Sequence, residues 1–113
     1  MRRLAIVSGL VGLLGLPACG YDAATDACYS VLDVYGTRLV ECGGFPTVEQ
    51  AEAAILETWS AEAGAPVDCD RTPVGVRDER ELYDECLPAL MTLPCERVHE
   101  APSSCDAQIV YRR

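Results

Sequence analysis

The chain has no lysine and no asparagine, and it carries one histidine, one tryptophan and one phenylalanine among its 113 residues. Each shortage closes off a class of function. Nine arginines stand against 18 acidic residues, for a net charge of −9. A nucleic acid needs a basic footprint that neutralises its phosphates, so no nucleic-acid partner is expected. The use of arginine alone reads as GC-rich coding bias, not as chemistry. No two cysteines have the C-x-x-C spacing of a zinc site or a dithiol oxidoreductase, so no metal or other cofactor is expected. No nucleophile-elbow motif surrounds Ser30, Ser60, Ser103 or Ser104. Long apolar runs are missing as well. Leu4–Leu16 is 13 residues, short of the roughly 20 that cross a bilayer.

What is present at the N-terminus reads as an export signal. Arg2 and Arg3 precede the apolar run, and small residues follow it. Leu16-Pro17-Ala18-Cys19 resembles the lipobox of bacterial lipoprotein signals. That resemblance implies removal of residues 1–18, a diacylglyceryl thioether on Cys19 and an acylated (palmitate-type) amino terminus. Pro17 departs from the pattern, where Ala, Ser or Thr is usual. Ala18-Cys19-Gly20 also resembles an ordinary signal-peptidase site, with cleavage before Tyr21 and free secretion. A third alternative keeps the segment as a helix of the folded chain. Under the lipobox reading the protein sits in the bacterial cell envelope, on the outer membrane and facing the periplasm or the surface. The mature chain, residues 19–113, has a short tether at 19–22, a single domain and a charge near −11. Anionic lipid would repel that body, so membrane attachment rests on the acyl chains.

Six cysteines remain: Cys28, Cys42, Cys69, Cys86, Cys95 and Cys105. An even number in a short exported chain predicts three disulfides. A domain this small buries limited surface, and each bridge adds about 2–4 kcal/mol by restricting the unfolded chain.

The apolar pattern predicts an all-α fold, a bundle of about three helices with a short C-terminal helical turn. Cys28, Val31, Leu32, Tyr35, Leu39 and Cys42 trace one stripe between Asp22 and Cys42. Asp22 or Thr25 is the expected cap, Gly43-Gly44 the stop, and Gly36 the mark of a close helix contact. A second helix starts at the "TVEQ" capping box of Thr47, buries Ala51, Ala54, Ile55 and Trp59, and ends at Gly64. The third is predicted over Asp78–Leu93, with Leu82, Cys86, Leu90 and Leu93 inward. Pro88 demands a kink there or a new helical segment. No stretch alternates with period two, so no sheet is expected.

Helix geometry limits the bridges. Cys28 and Cys42 are 14 residues apart on one helix, about 21 Å at 1.5 Å per residue, beyond the roughly 4.4–6.8 Å between bonded Cα atoms. Cys86 with Cys95 is excluded similarly if the helix continues through Pro88. If the helices run up, down and up, heights match for Cys28–Cys86 and Cys42–Cys95, which leaves Cys69–Cys105.

Cys42-Gly43-Gly44, "YDECL" at Tyr83–Leu87, "LPC" at Leu93–Cys95 and "PSSC" at Pro102–Cys105 resemble a group of small six-cysteine lipoproteins of myxobacteria and their relatives. The resemblance covers most of the mature chain and implies an exported, helical, disulfide-stapled domain. It carries no activity with it, so no residue inherits a role.

No catalytic residue is assigned from sequence. His99, alone on a polar segment, reads as a solvated residue, or as a general base if a carboxylate orients it. Asp68 and Asp70 read as an acidic turn, since a calcium loop needs more oxygen ligands at set spacing. Glu79, Glu81, Asp84 and Glu85 read as a solvated helix face, and Ser103 and Ser104 as caps of the last helical turn. Trp59 and Tyr35 fall on apolar stripes and read as core, whereas Tyr111 is open to a binding role. The expected function is therefore non-enzymatic: a lipid-anchored domain acting on an envelope protein partner or a surface. The alternatives are a small envelope enzyme using His99 and a binding module for a small apolar ligand.

Overall fold

The computed structural model describes residues 5–112, with side chains from residue 23 onward. The side chains of the expected signal segment and of Cys19 therefore lie outside the described residues. Helix α1 spans Ala5–Glu41. It begins well before Asp22, so Asp22 and Thr25 are interior helical positions and cap nothing. The helix already runs through this position from Ala5, so no start signal operates at Asp22. Its end is where the glycines put it. Gly43 adopts φ +80°, its N–H donates to Val40 O at 2.9 Å, and the Gly44 N–H donates to Leu39 O at 2.9 Å. This left-handed turn satisfies carbonyls that the last helical turn leaves open.

Helix α2, Val48–Ala63, starts at Thr47, whose Oγ1 accepts from the Gln50 N–H at 3.2 Å. Gly64 closes it at φ +75°. α2 packs on α1 where Gly36 lacks a side chain; a Cβ there would stand 3.0 Å from Glu52 Cγ. The connector then folds back along α1, burying Val67 and Cys69.

The third helical region runs without a gap from Glu79 to Met91, but in three segments of different winding. α3, Glu79–Glu81, is capped by Asp78 Oδ1, which accepts from the Glu81 N–H at 3.0 Å. A wider π-helical segment, Leu82–Cys86, follows, and the Leu87 N–H bonds five residues back to Leu82 O. α4, Leu87–Met91, then carries Pro88 in its first turn. Pro88 has no N–H to donate to Asp84 O and its ring crowds that carbonyl, and the wider turn lies at that place.

The expectation of no sheet is corrected. β1, Pro73–Val76, pairs antiparallel with β2, Ile109–Tyr111, with Gly75 opposite Val110 and Val76 opposite Ile109. The ladder is extended by the Arg77 N–H on Gln108 O at 2.7 Å and the Arg112 N–H on Thr72 O at 2.8 Å. Strands of four and three residues are too short to display alternation. Only "IVY" has the β-branched and aromatic composition of a strand. The chain is otherwise mostly helical. Cys95–Arg97 and Ser103–Cys105 are single 3₁₀ turns. Ser103 and Ser104 lie inside the latter, which has no side-chain cap.

The three predicted stripes meet in one core. Cys28, Val31, Leu32 and Leu39 of α1, Ala51 and Ile55 of α2, and Leu82, Cys86 and Leu90 are buried together, joined by Val98 and Ile109 from the tail. Three disulfides tie it. Cys42–Cys95 is the pair that the matched helix ends predict. The other two differ: Cys28 joins Cys69 and Cys86 joins Cys105, not Cys28–Cys86 and Cys69–Cys105. The reason is the path of the connector. It lays Cys69 against α1, where the Tyr29 hydroxyl donates to Asp70 Oδ1 at 2.7 Å. Cys86 faces the 3₁₀ turn of the tail instead.

Candidate functional site: an aromatic groove between α2 and the tail

Tyr35 on α1 and Trp59 on α2 lie on the predicted apolar stripes, yet both are only half-buried. They pack on the core along one side and line two adjoining recesses on the other. The larger recess, about 430 Å³, adds Glu62, Tyr111 and Asp106. The smaller, about 180 Å³, adds Phe45 from the loop after α1. Tyr35, Thr58, Trp59 and His99 border both, so the two form one continuous groove. Reading Trp59 and Tyr35 purely as core is thus half of their role.

The wall opposite α2 is built by the tail. The Tyr35 hydroxyl donates to Val98 O at 2.6 Å, which fixes the backbone next to His99. The Arg38 Nε donates to Leu93 O at 2.8 Å and holds the chain leaving α4. The Cys86–Cys105 bridge anchors the lower tail, and Cys105 itself lines the groove. Gln108, 2 % exposed, locks the strand behind it. Its Nε2 donates to Glu81 Oε1 at 2.8 Å and to Ser104 O at 2.9 Å, and its Oε1 accepts from the Asp78 N–H at 3.1 Å. Arg77 Nη2 lies 2.6 Å from the same Glu81 oxygen. Glu81 is therefore a structural acceptor and not part of a solvated face.

Burial pushes the Tyr111 phenol up to about 12, and the nearby Glu62 carboxylate adds to the shift. Burial also raises Tyr35. Both hydroxyls are held protonated, and charge on the groove wall comes from Glu62 and Asp106. Among the described residues neither carboxylate forms an ion pair, and His99, which is exposed, makes no side-chain hydrogen bond. No arginine lines the groove. A separate recess of about 520 Å³ near Leu93 and Pro102 has no aromatic side chain and carries both Arg97 and Glu100.

The remaining candidates from sequence are placed elsewhere. Asp68 and Asp70 form a turn in which Asp68 Oδ1 accepts from the Asp70 N–H at 2.9 Å. Asp84 is exposed beside Arg80, and Glu79 and Glu85 are exposed. Among the described residues no helix is long and apolar enough to cross a membrane. Phe45, Glu62 and Asp106 carried no local signal in the sequence. They become neighbours only because a loop, a helix end and the tail converge. No protein-family model, no curated protein and no solved structure matches the chain.

Proposed function

We propose that the chain is an exported, non-enzymatic binding domain, held to the bacterial envelope by lipid on Cys19, whose aromatic groove takes its ligand. Its body is a small disulfide-stapled bundle of three helices with the tail folded across it. The observation that carries this reading is the convergence of Tyr35, Phe45, Trp59 and Tyr111 on one open groove. Ring surface left uncovered there is area that a ligand gains by burying. Three bridges support export, since disulfides persist in oxidising compartments. The lipobox supports the anchor.

Intact-mass measurement of protein extracted from membranes, before and after reduction, tests the first half. An acyl mass on a chain beginning at Cys19 is expected; a soluble chain beginning at Tyr21 would refute the anchor. The second half is tested by Trp59 fluorescence against a panel of small organic ligands, with Trp59→Phe as its counterpart in calorimetry. A second reading, a small envelope enzyme using His99 as general base, draws on the place of His99 between the two recesses. Turnover of a bound compound that is lost in His99→Ala would establish it over simple binding.

A further inference from the structure

We propose that the groove is a site for small organic cations, a substituted ammonium group carried on an apolar body. The inference rests on the binding reading above and specifies its ligand. Two independent features select this class. The first is aromatic: Tyr35, Trp59, Phe45 and Tyr111 line it, and a cation over the face of such a ring is attracted by its quadrupole. The second is charge. The carboxylates on the groove are Glu62 and Asp106, no arginine lines it, and the chain has no lysine.

The carboxylate charge therefore favours cations over anions and over neutral ligands of the same shape, and His99 is the other titratable side chain on the groove. A quaternary ammonium suits such a groove because it is weakly hydrated and needs no hydrogen-bond acceptor. Its charge is met at a distance by Glu62 while its methyl groups lie on the rings. The other recess offers no comparable selection: Arg97 and Glu100 oppose one another there and no ring is exposed to it. The net charge, −9 for the full sequence and near −11 for residues 19–113, adds a long-range field that draws cations in and is screened by salt.

Trp59 is the only tryptophan, so its fluorescence reports on this groove alone. The test titrates the full folded chain with choline, with its uncharged carbon isostere 3,3-dimethylbutan-1-ol, and with benzoate. Saturable choline binding with a dissociation constant of about 1 mM or tighter is expected. The alcohol should bind about tenfold or more weakly, and benzoate should not compete. Glu62→Gln, at an exposed helix end, should weaken choline about three- to tenfold and leave the alcohol unchanged. Asp106→Asn provides a second variant should Glu62→Gln alter the fold. Equal binding of choline and the alcohol overturns the cation inference and leaves the binding reading standing. Preference for benzoate, or unchanged choline affinity in both variants, also overturns it. No response to any of the three overturns both.

Discussion

Gln108 is the buried polar side chain among the described residues, and its amide is used at both ends. One end donates to Glu81 and Ser104, the other accepts from the backbone of Asp78. A buried amide that lacked those partners would cost about 1–3 kcal/mol per open group. Gln108→Leu keeps the volume but strands the Asp78 N–H and the Ser104 carbonyl. It should destabilise the protein by about 2–4 kcal/mol, read as a shift of the urea midpoint at constant slope. Tyr111 gives a pH dependence at the same scale. Its phenol is raised to about 12 in the folded chain, against about 10 when unfolded. The stability tied to the neutral phenol is complete below about pH 10 and is lost as pH rises through about 12. Urea midpoints from pH 9 to 12 should fall, and Tyr111→Phe should flatten the decline. An equally steep fall in that variant would assign it to the other raised tyrosines, Tyr29, Tyr35 and Tyr83.

Elements were the most legible level in the sequence. The apolar stripes, the Thr47 cap and the stops at Gly43 and Gly64 are each set within a few residues of chain, and each is where the sequence put it. Gly36 was also legible as a close contact. Gly36→Ala gains about 1 kcal/mol of helix propensity and displaces only the Glu52 side chain from 3.0 Å. Its net effect should stay within about 1 kcal/mol. Gly36→Leu drives a branched side chain into Val48 and Glu52 and should cost about 1–3 kcal/mol. Thermal melts of the two variants separate close packing from propensity; a Leu variant as stable as the Ala variant would refute the contact. The start of α1 was misplaced because Asp22 and Thr25 look like caps only if the residues before them are not helical. The π-helical segment was legible as a problem at Pro88, but not as its solution. A proline announces a broken ladder, and which of several repairs occurs depends on what packs beneath it, here Leu82 and Cys86 on the core.

At the scale of the whole molecule the three bridges close loops of 41, 53 and 19 residues. Chain entropy alone assigns each about 3–4 kcal/mol, with the 53-residue loop slightly ahead. Packing reverses that order. Cys28 and Cys69 are buried in the core, whereas Cys95 is exposed. The double variant Cys28→Ala/Cys69→Ala should therefore lose more stability than Cys42→Ala/Cys95→Ala, despite the shorter loop. Denaturant unfolding of the two decides it. Peptide mapping without reduction should also recover Cys28 linked to Cys69; a Cys28–Cys86 fragment would return the arrangement that helix heights alone suggested.

The sequence by itself determined the apolar stripes of the helices, the Thr47 cap, the stops at Gly43 and Gly64, and the number of bridges. These depend on local periodicity, on the conformational freedom of single glycines, and on counting. An up-down-up arrangement also suggested one pairing that the structure has, Cys42–Cys95, because both cysteines sit at helix ends that topology brings together. Only the tertiary structure decided the other two pairings, the strand pair and the aromatic groove. Each brings in the connector or the tail, and nothing periodic in those segments says where they run. The path was chosen by burial of Val67, Val98 and Ile109 and by satisfaction of Gln108, long-range contacts that no short stretch of sequence encodes.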